Sequence, residues 1–137
     1  MLLTDIAGYL VSTGCGYAPS NASYPWIYGN YSPDTPDKII VVSDYVAEQP
    51  LLTMTGNQPP LLERPRVQIM CRDAPQEVVA CHTTIRNVYV KLCLVSDMVI
   101  GTNRYTFVPL DTPVMIGRDD QQRVKYAVNF QVEVQGA

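Results

Sequence analysis

Val124-Lys125-Tyr126-Ala127-Val128-Asn129-Phe130-Gln131-Val132-Glu133-Val134 alternates apolar and polar positions without a break. Val124, Tyr126, Val128, Phe130, Val132 and Val134 point one way, while Lys125, Ala127, Asn129, Gln131 and Glu133, with Arg123 just ahead of them, point the other. A period of two held this long predicts a β-strand with one buried and one wet face. The stretch from residue 122 to 135 would reach about 44 Å at the usual rise per residue. A compact chain of 137 residues has a diameter of about 37 Å by the usual size scaling. The last strand is therefore expected to cross the whole domain and to overhang its edge.

The rest of the chain supplies what packs on that strand. Arg118-Asp119-Asp120-Gln121 reads as a turn feeding it from an antiparallel partner at residues 113–117, and residues 104–110 form another strand candidate before the turn at Asp111-Thr112. Upstream, Asp73, Pro75 and Gln76 make a helix-start signal with a capping box. Val78, Cys81, Ile85, Val88, Tyr89 and Leu92 then fall on one stripe, so residues 75–95 are expected to be the main helix, covering the sheet. A second row, Val79, Arg86 and Val90, lies on its flank. Residues 66–72 alternate as a half-buried strand, and the β-branched run Ile39-Ile40-Val41-Val42 marks another.

Between these two strands no period holds from residue 46 to 63, where Pro50, Gly56, Pro59 and Pro60 interrupt the chain. So long an irregular segment suggests a contact arm. Residues 16–37 carry Pro19, Pro25, Pro33 and Pro36 around Tyr24-Pro25-Trp26-Ile27-Tyr28, an edge strand among turns. Residues 1–13 place Leu2, Leu3, Ile6, Tyr9 and Leu10 on one helical face ahead of Gly14, a natural left-handed cap. The order predicts a single α+β domain over residues 1–137: an antiparallel or mixed sheet, two helices packed on one face, and a long C-terminal strand.

Composition narrows the function. Hydrophobic residues make up 47%, charged ones 17%, and the net charge is -3, with no cluster of Lys and Arg. That balance argues against affinity for free nucleic acid. No basic residue precedes Lys38, and Asp5 interrupts the apolar opening, so a secretory signal is not expected. The longest apolar run, residues 88–95, contains Lys91 and is too short for a membrane span. Synthesis in a cytoplasm is expected, with Cys15, Cys71, Cys81 and Cys93 as thiols.

Catalytic constellations are hard to build from these residues. His82 adjoins Cys81, but neighbours on a helix point about 100° apart, so a nucleophile and base are not expected, and both residues should be structural. Cys71, Cys81, His82 and Cys93 lack the spacing of a metal site. No phosphate-cradling glycine loop or nucleophile elbow occurs. Asp119-Asp120 reads as a solvated turn. Trp26 with Tyr24, Tyr28 and Tyr31 could stack bases or sugars, but without neighbouring bases it reads as core or protein interface. No cofactor, metal or enzymatic activity is expected.

Arg64-Pro65-Arg66-Val67-Gln68-Ile69, the helix opening at Pro75, the segment from Pro113 to Asp120 and the closing Arg123 to Phe130 resemble the tail terminator (tail completion, or minor capsid) proteins of long-tailed bacteriophages. The resemblance covers residues 61–134. It implies a virion protein made in the host bacterial cytoplasm, forming a ring of usually six subunits that caps the tail tube, ends its polymerisation and joins it to the head connector or stopper. Duplex DNA would pass through the lumen without specific binding. Candidate contact residues are Val79, Arg86 and Val90 on the helix flank, Gln58 in the long irregular segment, and Arg118, Asp119 and Asp120 at the hairpin turn. Two alternatives remain: another neck subunit, or a small-molecule-binding accessory module around Trp26, which would be monomeric and show a pocket.

Overall fold

The computed structural model describes residues 2–51 and 62–136. In chain order the elements are α1 (Leu2–Ser12), β1 (Trp26–Gly29), β2 (Ile39–Leu51), β3 (Leu62–Asp73), α2 (Val78–Cys93), β4 (Met98–Ile100), β5 (Asn103–Pro109), β6 (Val114–Arg118) and β7 (Val124–Gly136). One mixed sheet runs β1-β2-β3-β7-β5-β4, with β6 also on β7. Among the described strand pairs only β1–β2 is parallel. The fold is α+β, as the order of elements predicts.

β7 is the spine. β3 pairs along one side of it from Asp73↔Val124 to Glu63↔Val134. The other side is shared end to end, β6 taking Val124 to Ala127 and β5 taking Phe130 to Gly136. At the junction the Asp111 carboxylate accepts from the Asn129 backbone N–H and from its amide Nδ2, both at 2.8 Å. A side chain thus fills the gap in the ladder. The expected overhang is corrected here: Gln135 and Gly136 are paired with Arg104 and Asn103, so the described end of β7 is covered by β5.

The alternating face carries the core. Val124, Val128, Phe130 and Val132 are buried with Val67, Ile69 and Cys71 of β3 and with Cys81, Ile85, Val88 and Leu92 of α2. The Phe130 ring lies 5.7 Å from Phe107 and 6.1 Å from Tyr89, centroid to centroid. α1 seats Leu3, Ile6 and Leu10 in the same core. The sheet curls so that both its ends meet α1. A Cβ at Gly29 on β1 would lie 3.5 Å from Leu3, and Tyr105 on β5 donates its hydroxyl to Asp5. Burial, then the Asp5 bond, pushes that phenol up to about 12. α1 ends as predicted: Gly14 has φ +81°, and the Cys15 N–H reaches back to the Leu10 carbonyl at 2.9 Å.

Several boundaries differ from the sequence expectation. α2 starts at Val78 rather than Pro75, behind a turn in which the Glu77 N–H donates to the Ala74 carbonyl. Asp73 closes β3 and caps only the Ala74 N–H, so the expected capping box is not formed. The irregular segment at residues 46–63 is entered by strand from both sides, because β2 runs to Leu51 and β3 begins at Leu62. Register shifts between Tyr45 and Glu48 and between Glu48 and Leu51 absorb the broken period. Gln58 lies outside the described residues. β4, three residues long, gave no periodic signal.

Candidate assembly surfaces

Val79, Arg86 and Val90 are brought together on α2, but at its outward pole rather than its flank. At about 100° per residue they lie roughly half a turn from the Cys81–Ile85–Val88–Leu92 row. Val79 is 79% exposed and Leu94, the next member of the row, 68%. The Arg86 guanidinium carbon sits 5.2 Å above the Tyr89 ring and keeps its charge at the surface. Val79 and Val90 on the wet pole, with Leu94 at the cap just past the end of the helix, are exposed beside Arg86, and α2 carries no acid. Leu94 was missed in the sequence because it falls past the last periodic core position, although its spacing from Val90 places it in the row.

A second exposed apolar surface lies on the sheet edge. Val114, Met115 and Ile116 of β6 are all exposed, as are Val108 and Leu110 just before them. The register shift between Met115 and Gly117 makes Ile116 the extra residue of a bulge, and Gly117, with φ +124°, takes a backbone shape that a side chain would strain. The signal was available: three consecutive apolar residues in a strand cannot all face one core. Such an edge is a template for another chain.

Of Arg118, Asp119 and Asp120 at the hairpin turn, the first two are bonded within the chain. Arg118 donates to the Pro75 carbonyl at 2.8 Å and the Gln122 carbonyl at 2.7 Å, tying the hairpin turn to the segment just ahead of α2. Asp119 accepts from Arg123 Nε at 2.7 Å and from the Arg123 N–H at 2.9 Å, while Asp120 is exposed. Burial pushes the Asp119 carboxyl up, but the Arg123 hydrogen bonds outweigh it and hold it below the ordinary value.

Arg123 and Arg72 are buried on the face of the sheet away from the helices, where the sequence predicts a wet Arg123. The Arg72 guanidinium donates to the carbonyls of Pro33, Pro36 and Asp37 at 2.7, 2.8 and 3.2 Å. Arg123 reaches the Asp34 carbonyl and carboxylate and the Asp37 carboxylate. Burial, then repulsion from Arg123, lowers the Arg72 pKa, whereas for Arg123 burial is outweighed by the hydrogen bonds it donates to Asp119 and Asp37, and its pKa is raised. These two cations organise the proline-rich segment.

The remaining candidates for chemistry are used internally. Cys81 Sγ donates to the Cys71 carbonyl at 3.4 Å, whereas His82 points outward, edge-on to Tyr126 at 5.3 Å. The hydrogen bond with Cys81, and then burial, push the Cys71 thiol well up. The four cysteines are free thiols. Trp26 stacks on Tyr24 at 5.2 Å and gives its indole N–H to the Asn21 and Ser23 carbonyls, both at 3.1 Å. Open grooves flank α1, one of about 410 Å³ lined by Asp5, Tyr9 and Met98 among others. Among the described residues no cluster of His, Cys, Asp and Glu could hold a metal, and no helix is long and apolar enough to cross a membrane.

Among curated proteins no significant match to the chain was found. The family model described as bacteriophage tail terminator protein matches residues 9–135, extending through the proline-rich first half that the sequence resemblance left uncovered. With that match over nearly its whole length, the chain belongs to the bacteriophage tail terminator family.

Proposed function

We propose that this chain is a non-enzymatic virion subunit that closes into a ring, usually of six copies, on the end of the tail tube. There it stops polymerisation and joins the tube to the head connector or stopper. The observation that carries this, beside the family match, is the presence of two unlike exposed apolar surfaces on one subunit, the α2 pole and the β6 edge. Contact between unlike surfaces is heterologous, and a heterologous contact either closes or runs on as a filament. A protein that ends a tube must close. Duplex DNA is expected to pass the lumen without specific binding, because the net charge is -3 and no basic cluster occurs. The Trp26 region, with its polar handle and its stacking face both engaged inside the chain, gives little support to a small-molecule module.

The test is imaging of tails assembled with and without this protein, together with light scattering of the purified chain. Overlong, variable tubes in its absence and a closed oligomer in solution or on tube ends are expected. Tubes of normal, uniform length without it would overturn the reading.

A further inference from the structure

We propose that the free edge of β6 on one subunit pairs antiparallel, strand against strand, with the uncovered edge of β2 on a second copy of the same chain, over residues 114–118 of the first and 44–49 of the second. The inference rests on the ring reading above and names the edges that would meet. β6 lies on β7 at Val124 to Ala127, and no strand among the described residues lies beyond it. Its Val114, Met115 and Ile116 are exposed, and no lysine or proline guards the strand. Such an edge is a template for a partner strand. β1 covers β2 only from Ile39 to Val42, so from Asp44 onward the outer side of β2 has no strand partner among the described residues. Pro50 has no N–H to give and ends the usable stretch at residue 49, a length that matches the five residues of β6.

The remaining edges are engaged inside the subunit. Tyr17 bridges β1, its carbonyl accepting the Ile27 N–H at 3.0 Å, and the Phe107 N–H of β5 goes to the Val95 carbonyl at 3.0 Å. Asp5 of α1 stands 2.7 Å from where a Cβ on Gly101, just past β4, would lie. One subunit cannot join its own two free edges. β6 lies level with the start of β7, whereas Asp44 lies level with Val67 and Phe130 and is separated from β7 by β3, so the two edges occupy opposite sides of the sheet.

Charge on the strands themselves selects unlike edges over like ones. Residues 114–118 carry Arg118 and no acid, and residues 44–49 carry Asp44 and Glu48 and no base. Antiparallel pairing sets Arg118 towards Asp44, both exposed, whereas β6 on β6 or β2 on β2 opposes only like charges. The Arg118 bonds to the Pro75 and Gln122 carbonyls leave its charge unneutralised, and Asp44 accepts from the neutral Asn30 amide at 3.0 Å.

Light scattering and hydrogen exchange test this on two blocking variants and their mixture. Ile116→Lys spoils the β6 edge from an exposed position, and Ala47→Pro spoils the β2 edge inside the register shift between Tyr45 and Glu48. Each alone is expected to run as monomer with an unchanged circular dichroism spectrum. Mixed in equal amounts they should form a dimer and nothing larger, because one β2 edge and one β6 edge remain intact between them. If Ala47→Pro melts early, Asp44→Lys blocks the same edge by setting like charge against Arg118. In the wild-type assembly, residues 114–118 and 44–49 should gain amide protection together over the monomeric variants. Wild-type protein that never oligomerises, in solution or on tube ends, overturns the ring reading and this interface with it. A wild-type ring in which either stretch gains no protection, or a ring formed by either variant alone, overturns this interface and leaves the ring reading standing. Ala47→Pro that dimerises by itself, or monomeric variants whose mixture gives no dimer, overturns the pairing of unlike edges.

Discussion

The two faces of the sheet are closed by different chemistry. On the helix side, Ile40, Val42, Val67, Ile69, Val128 and Phe130 meet the apolar stripes of α1 and α2. On the other side, the register places Ile39, Arg72 and Lys125 in one row and Val41, Met70 and Ala127 in the next. Ile39, Val41 and Ala127 are as buried as the helix-side core, although they alternate away from it. On this face the segment through Pro33 and Pro36 is held by Arg72 and Arg123. Apolar cover announces itself as periodicity, since every contacting residue must be apolar. Cover tethered by guanidinium-to-carbonyl bonds leaves no pattern, because any residue offers a carbonyl.

The largest effect should separate the two faces. Phe130→Ala removes a fully buried ring from between Phe107 and Tyr89 and should cost about 3 to 5 kcal/mol, as core truncations of this size do. Its chemical denaturation midpoint should fall with the whole domain unfolding together. An unshifted midpoint would mean the register of β7 is wrong.

Arg72→Ala and Arg123→Ala come next, at about 2 to 3 kcal/mol each, the scale of losing hydrogen bonds from a charged donor. Hydrogen exchange should distinguish them from Phe130→Ala, with residues 30–37 losing protection while α2 keeps it. Equal loss in α2 would show that the two faces are one cooperative core and erase the comparison.

Acid sharpens the contrast further, because two aspartates beside the arginine-held face respond with opposite sign. Asp119 is held below its ordinary value, so the stability it contributes is present above the unfolded-state pKa of about 3.9 and is lost as pH falls through the folded one. Asp73 is pushed up, by burial first, so the folded chain holds its proton more tightly. As pH falls from the folded pKa to the unfolded one, this group favours folding. Asp119→Asn should therefore flatten the acid limb of a stability–pH curve, and Asp73→Asn should raise the melting midpoint at neutral pH. A steeper acid limb in the first variant, or a lower midpoint in the second, would contradict these signs.

The smallest effect belongs to His82. Exposed and edge-on to Tyr126, it should change stability by no more than about 0.5 kcal/mol when replaced by Ala, as surface substitutions do. A drop of the size expected for Phe130 would mean that the outer side of α2 is packed rather than free.

The sequence by itself determined the helix face. Its evidence was the alternation through β7, the stripe on α2 and the glycine ending α1, all local periodicities or local backbone needs. It also marked Val79, Arg86 and Val90 as lying off the core, because a helix fixes angular position residue by residue. Only the tertiary structure decided the rest. Arg123 and Ala127 sit on the polar side of the pattern yet are buried, and the partners that hold Arg123, Asp34 and Asp37, lie far away in the chain. The exposure of Val114 to Ile116 likewise depends on which strand takes which stretch of β7: β5 and β6 share one edge, and no strand among the described residues lies beyond β6. Strand neighbours are chosen by contacts distant in sequence, and a one-dimensional pattern carries the period of a face but not the identity of what covers it.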